Sequence, residues 1–212
     1  LAHQGVMFLD ELPEFDRRVL EVLREPMESG SITISRAARQ AEFPARFQLV
    51  TAMNPCPCGH LGDNSGHSCS CTSEQVSRYR QRISGPLLDR IDIHIEVPRV
   101  KPKQLQHTAE NRGEDSKAVR NRVEAARNIQ IERSGLPNAV LSSQQVEQYC
   151  RLDSTSMQLV HRAMEQLGLS ARAYHRILKL ARTIADLDRQ EQIGSGHLGE
   201  AIGYRRLDRN SS

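Results

Sequence analysis

Tryptophan is absent from this 212-residue chain, and the aromatic share is only 4%. That scarcity counts against a surface that stacks single-stranded bases, which needs successive aromatic platforms. No apolar run approaches the ~20 residues of a membrane-spanning helix, so no membrane partner is expected. No secretory leader is recognisable in these residues either. Among the eight histidines no H-E-x-x-H arrangement occurs, which argues against a catalytic zinc hydrolase. A phosphate-cradling G-x-x-x-x-G-K-[ST] loop is missing as well. Neither sign of charge dominates: 29 Lys and Arg against 26 Asp and Glu leave +3, which permits nucleic-acid binding without demanding it. The 38% hydrophobic and 26% charged residues are ordinary for a globular chain, long enough for one large or two small domains.

The most informative segment is Gly5-Val6-Met7-Phe8-Leu9-Asp10-Glu11, an apolar run ending in two adjacent carboxylates. The run predicts a central strand covered on both faces. A buried strand delivering Asp-Glu at its carboxyl end is how nucleoside-triphosphate motors hold Mg²⁺ and activate water. Asp10 would orient water ligands around the metal, and Glu11 would polarise the attacking water. The plainer reading is a solvated strand end, and the motifs downstream weigh against it. The chain opens at Leu1, already inside this motif, and lacks the phosphate loop. It therefore reads as the back half of a larger ATPase, expected neither to bind ATP well nor to turn it over alone.

Helical spacing after Pro13 joins Phe15, Val19, Leu20, Val22, Leu23 and Met27, with Pro26 and Gly30 closing that element. A hairpin is predicted from Ile32 to Phe47, then a second central strand through Ala52 that ends at Asn54-Pro55. Residues 55–77 lack periodicity and form a loop or a metal-stapled knob. Ile91 to Val97 alternates strictly, which predicts a half-buried strand. Later helices are expected over about 116–133, from Ser142 with Gln145 in a capping box, from Asp153 to before Gly168, from Ser170, and after Ser195. The Ser170 helix should bury Ala173, Ile177, Leu180, Ala181 and Ile184, and Cys150 should be a small buried apolar residue. The organisation is an α/β region over 1–98 with a Cys-rich insertion at about 55–78, a polar linker over 99–115, and a helical domain over 116–212.

Four of the five cysteines form Cys56-x-Cys58 and Cys69-x-Cys71. Four soft ligands suffice to close a tetrahedral structural Zn²⁺ site, and local pairs in a cytoplasmic ATPase suggest metal. C-x-C is tighter than the usual knuckle, which leaves His60 and His67 as substitute ligands. Disulfides and free thiols are the rivals. Arg36, Arg39 and Arg46 make the hairpin basic, fit to track nucleic-acid phosphates, against the alternative of a solvent-exposed hairpin. Arg78, Arg80 and Arg82 form a second basic cluster beside the knob.

Three polar positions extend the first motif. Asn54, at a strand end, can hydrogen-bond an attacking water or a γ-phosphate, whereas alone it would be a turn-former before Pro55. Arg90, in Leu87-Leu88-Asp89-Arg90, can reach a neighbouring subunit's phosphoryl group or simply pair with Asp89 or Asp92. Arg172 opens the Ser170 helix, where Arg172, Arg176 and Lys179 share a basic face that is solvated by default.

Taken in order, these motifs resemble the magnesium-chelatase-like AAA+ ATPases of bacteria, specifically the competence-related YifB/ComM group. The resemblance runs through Gly5–Phe15, Ile34–Ala37, Phe43–Phe47, Ala52–Gly59, Gly85–Asp92, Leu169–Arg176 and Ala181–Leu187. It is most specific at Asn54-Pro55-Cys56-Pro57-Cys58-Gly59. It implies the second half of an AAA+ P-loop core, a parallel sheet with hairpin and zinc-knob insertions, followed by an all-α lid. Asp10 and Glu11 then match the Walker B pair binding Mg²⁺-ATP, Asn54 sensor 1, Arg90 the arginine finger and Arg172 sensor 2. A hexameric ring with ATP between subunits is implied, as is migration of single-stranded or branched DNA during natural transformation. Two rivals are a chelatase motor inserting metal into a tetrapyrrole and a non-enzymatic, zinc-stapled DNA-binding module. Chelatase subunits join Asn-Pro to Leu-Leu-Asp-Arg by a much shorter segment, so the knob argues against the first.

Overall fold

A computed structural model describes residues 2–36, 39–63, 68–98, 100 and 113–205, with the backbone alone at Arg36 and Arg39. His67 and most of the linker expected over 99–115 lie outside the described residues. The chain divides into two units, the first ending at Ile91 and the second starting at Asp92.

In the first unit β1 (Val6–Leu9) pairs in parallel with β4 (Gln48–Thr51), with Leu9 opposite Thr51. Parallel pairing needs a long crossover, supplied here by α1 (Arg17–Val22), α2 (Arg24–Ser29) and an antiparallel hairpin of β2 (Ser31–Arg36) and β3 (Arg39–Pro44). Helices α3 (Ser73–Arg80) and α4 (Gly85–Leu88) follow β4. Leu12, Leu20, Ile83 and Leu87 form the buried core, with Leu9, Leu23, Met27 and Met53 packed against it.

The structure corrects two expectations here. The first strand is covered on one face only: Met7 and Leu9 are half-buried, but Val6 and Phe8 are 61% and 59% exposed. A continuous apolar run registers hydrophobicity without registering how many layers exist to cover it. The single helix expected through Met27 is broken at Leu23 into α1 and α2. Pro26 has no N–H to donate to Val22, four residues back, so it is tolerated only in the first turn of a new helix. Gly30 does close α2, in the left-handed conformation.

The second unit contains α5 (Ser116–Ser134), α6 (Ser143–Tyr149), α7 (Ser154–Leu167), α8 (Ala171–Leu187) and α9 (Ser195–Gly203). Their starts follow the sequence signals. Ser142 and Gln145 form a reciprocal capping box, while Asp153 and Ser170 accept from the N–H groups of Ser156 and Ala173. Gly168 stops α7 at φ 61°. Helix α8 is the centre of the unit: Ala173, Ile177, Leu178, Ala181, Ile184 and Ala185 are buried along it, with Leu180 only half-buried. Cys150 is buried in the same core, as expected, and burial pushes its thiol up to about 11.

Residues 91–97 are not a strand. Ile93, Ile95 and Val97 face solvent, and His94 is the buried member, its backbone N–H donating to the Tyr204 carbonyl at 2.8 Å. Alternation sets a period of two but not which face is inward, and no neighbouring strand is present among the described residues to fix it.

Candidate functional site

The parallel register determines where the candidate catalytic residues stand. Beyond Leu9 and Thr51 the pairing runs on: Ala52 N–H donates to Leu9 O at 2.9 Å, and Leu12 N–H donates to Ala52 O at 3.0 Å. Asp10 and Glu11 are therefore looped against Ala52, with Asn54 just beyond it. All three are solvent-exposed at the carboxyl ends of adjacent strands, the position at which α/β sheets present ligand sites. Glu11 is left-handed, φ 51° and ψ 46°, and its N–H donates to Asp10 Oδ1 at 2.9 Å. A non-glycine residue held there stores strain of about 1 kcal/mol. A turn at Leu12-Pro13, both buried, follows. On the Asn54 side, Gly59 at φ 78° turns the chain back, so that a Cβ at Gly59 would stand 3.9 Å from the Asn54 carboxamide oxygen.

Arg90 belongs to the same unit but is folded inward. It is 7% exposed, donates to the Pro86 carbonyl at 2.7 Å, and is ion-paired with Glu28 near the end of α2. Of the partners considered from sequence, Asp92 pairs with Arg176 in the second unit. Arg172 is exposed in the first turn of α8. The basic face expected around it is engaged, because Arg176 holds Asp92 and the half-buried Lys179 donates to Ala139 O at 3.2 Å.

In the hairpin, Arg36 stands directly opposite Arg39. Arg46 lies past β3, exposed, at the foot of the hairpin, where it lines an open cleft of about 490 Å³ with His3 and Glu42.

The four cysteines converge. Cys56, Cys58 and Cys69 have sulfurs 3.4, 3.5 and 3.6 Å apart, and Cys71 completes a set whose ligand atoms all lie within 4.8 Å. A tetrahedron with Zn–S bonds of about 2.3 Å puts sulfurs about 3.8 Å apart, so the donor set fits a structural zinc site. All four thiols are free, so the disulfide alternative does not hold in this structure. His60 turns aside, its Nδ1 lying 3.5 Å from Asp63. Backbone hydrogen bonds from His60 and Ser70 hold the Cys58 thiol down at about 5. Cys69 is pushed up to about 12: a backbone hydrogen bond from Cys71 opposes this, but burial and the neighbouring thiols outweigh it.

Helix α3 carries what sequence reasoning missed. The second basic cluster is engaged internally: Arg78 pairs with Glu74, Arg80 donates to the Pro55 carbonyl at 3.4 Å, and Arg82 reaches the Glu14 carboxylate at 2.9 Å and the Pro13 carbonyl at 3.2 Å. Tyr79 is buried, which pushes its hydroxyl pKa up. The charges of Glu14 and Glu11 add to that rise, and a hydrogen bond from the Asn54 backbone N–H opposes it. No local motif marks Tyr79 in the sequence, so its burial was not legible there.

Comparison with known proteins gives a consistent set of relatives. Residues 1–105 match the family model described as magnesium chelatase, subunit ChlI, and residues 113–205 match that of its C-terminal part. The chain is 52% identical over 209 residues to the competence protein ComM of Haemophilus influenzae and 50% identical to YifB of Escherichia coli. Each match covers 99% of this chain and 40% of the relative, so the chain spans well under half the length of those proteins. The magnesium-chelatase subunit ChlI of Pyropia yezoensis is 27% identical over 105 residues, covering 50% of this chain and 23% of that protein.

Proposed function

The chain belongs to the magnesium-chelatase-like family that includes ComM and YifB, and from that premise we propose that it is part of an ATP-driven motor acting on DNA. The observation that carries this reading is the delivery of Asp10, Glu11 and Asn54 to the carboxyl ends of two paired parallel strands. When bound, Mg²⁺-ATP supplies the transferable phosphoryl group together with the charge that offsets its oxygens. Asp10 and Glu11 are the carboxylates that would hold the metal, Glu11 would serve as the base toward an attacking water, and the Asn54 carboxamide would orient that water. Arg90 acts as the arginine finger only after release from Glu28, which makes its pair with Glu28 a latch on that role. Arg172 serves as the nucleotide-sensing arginine of α8. The full-length protein works as a hexamer in the cytoplasm, and these 212 residues alone turn over no ATP.

The four-cysteine set holds one structural Zn²⁺. The hairpin contacts phosphate, because its sequence places Arg36, Arg39 and Arg46 on one basic element with little acid. The breadth and identity of the similarity to a competence protein, against the shorter and weaker one to a chelatase subunit, favour DNA branch migration in transformation over tetrapyrrole metal insertion. The test is DNA binding by the full-length protein with Arg36→Ala and Arg39→Ala together. Affinity should fall at low salt, and the slope of log K against log salt should flatten by about 1 per lost phosphate contact. Unchanged affinity and slope would remove the hairpin from the DNA path.

A further inference from the structure

At the foot of the hairpin the fold holds Arg46 in place while leaving its charge unused. The backbone is tied on both sides: the Arg46 N–H donates to His3 Nδ1 at 3.2 Å, and its carbonyl accepts from the Gln4 N–H at 2.6 Å. The side-chain stem lies in a notch at Gly30, where a Cβ would stand 2.9 Å from Arg46 Cγ and 3.2 Å from Nε. The floor of that notch is itself fixed. The Gly30 N–H donates to the Pro26 carbonyl at 3.0 Å, and the Gly30 carbonyl accepts from the Ala45 N–H at 2.8 Å. Beyond the notch the guanidinium has no hydrogen-bond or ion-pair partner among the described residues, whereas Arg24, Arg78, Arg82 and Arg90 are all ion-paired. A long cation usually gives up rotamer freedom when it takes a ligand, and here the notch has already removed part of it.

We propose that the cleft at the foot of the hairpin is a binding site for a phosphodiester of a nucleic-acid backbone, with Arg46 as its fork and Gly30 as the notch that aims it. It rests on the reading of the full-length protein as a DNA motor. The planar row of guanidinium N–H donors matches phosphate oxygens bidentately. His3 lines the same cleft, and with Nδ1 accepting from Arg46 a neutral ring carries its proton on Nε2, a second donor. Glu42, in the same lining, opposes a second negative charge. The singly charged phosphodiester therefore suits the cleft better than a phosphate monoester or a triphosphate. The form of the cleft agrees. It is open and mostly polar in its lining, whereas sites for free small molecules enclose the ligand in mostly apolar walls. A polymer passing across it fits that form.

The experiment measures binding of a fluorescent single-stranded oligonucleotide to the full-length protein across a range of salt, with melting temperatures alongside. The unaltered protein is compared with Arg46→Ala, Arg46→Lys and Gly30→Ala. Arg46→Ala should lower affinity about 3- to 10-fold at low salt and flatten the slope of log K against log salt by about 0.7, the single-strand value for one phosphate. Arg46→Lys keeps the charge without the fork, and Gly30→Ala keeps the fork but displaces its stem. Both should lower affinity by about 2- to 5-fold and leave the slope as it was. Gly30 sits at φ 73°, so alanine there is also strained; should that variant unfold, Arg46→Lys decides alone. Unchanged affinity and slope in Arg46→Ala overturn the proposal, as does a loss accompanied by a lower melting temperature, which would mark a structural role. Lysine and alanine variants that both bind as the unaltered protein does would show charge acting without a built site, and overturn it too. Inorganic phosphate at constant ionic strength should displace the oligonucleotide equally poorly from the unaltered protein and from Arg46→Ala. Selective displacement from the unaltered protein would make this a site for free phosphate and overturn the phosphodiester assignment. Failure of the unaltered protein to bind any DNA would instead overturn the DNA-motor reading on which the proposal stands.

Discussion

Glu11 is a carboxylate held at φ 51°, where an L side chain is strained and glycine is not. Replacing Glu11 with Gly should stabilise the first unit by about 1 kcal/mol in urea unfolding while removing ATP turnover from the full-length protein. A loss of stability instead would show that the left-handed turn is not strained. A second residue-scale prediction concerns Asp186, fully buried on α8. Its carboxylate accepts from Arg133 at 2.6 and 2.7 Å, from Arg182 at 3.1 Å and from Asn138 at 2.8 Å. Asp186→Ala leaves two guanidinium groups without that counter-charge and should destabilise the second unit by about 3–5 kcal/mol. A cost below about 1 kcal/mol, read by thermal melting, would contradict the network's role. Nothing in the sequence announced this cluster, because Arg133 and Asp186 are 53 positions apart and meet only through helix packing. The Asp10-Glu11 motif, by contrast, was legible because its chemistry is written in adjacent residues at the end of an apolar run.

At the scale of elements, the helices of the second unit were read closely because capping is local. The signals at Ser142, Asp153, Gly168 and Ser170 each act within one turn of chain. Ser170→Ala should cost about 1 kcal/mol in melting experiments, and a neutral outcome would mean that α8 is held by packing alone. The Asp153 cap adds a pH dependence. The backbone hydrogen bond from Ser156 lowers its pKa below the ordinary 3.8, so the cap's contribution is complete above that value and is lost as pH falls below it. In Asp153→Asn the corresponding acid limb of the stability profile should flatten, and a profile identical to that of the unaltered protein would remove Asp153 from it. Residues 91–97 show where local reading fails. Their alternation was real, but the buried position went to His94 through a backbone bond to Tyr204, a partner far along the chain. The break at Leu23 was legible in principle, since Pro26 removes one specific hydrogen bond, yet the apolar spacing on either side masked it.

For the whole molecule, the knob decides whether metal is part of the fold. Protein purified without chelator should carry about one zinc per chain, released by a strong chelator with a lower melting temperature for the first unit and none for the second. Protein free of zinc after such purification, or two units equally indifferent to chelation, would contradict the assignment. The central claim is that the strand ends bearing Asp10, Glu11 and Asn54 hydrolyse ATP in a motor driven by DNA. It is tested most directly by ATP turnover of the full-length protein, with and without single-stranded and branched DNA, beside its Glu11→Gln variant. The account predicts turnover that rises with DNA and is abolished by that substitution. Turnover that persists in Glu11→Gln, or that ignores every DNA offered, would contradict it.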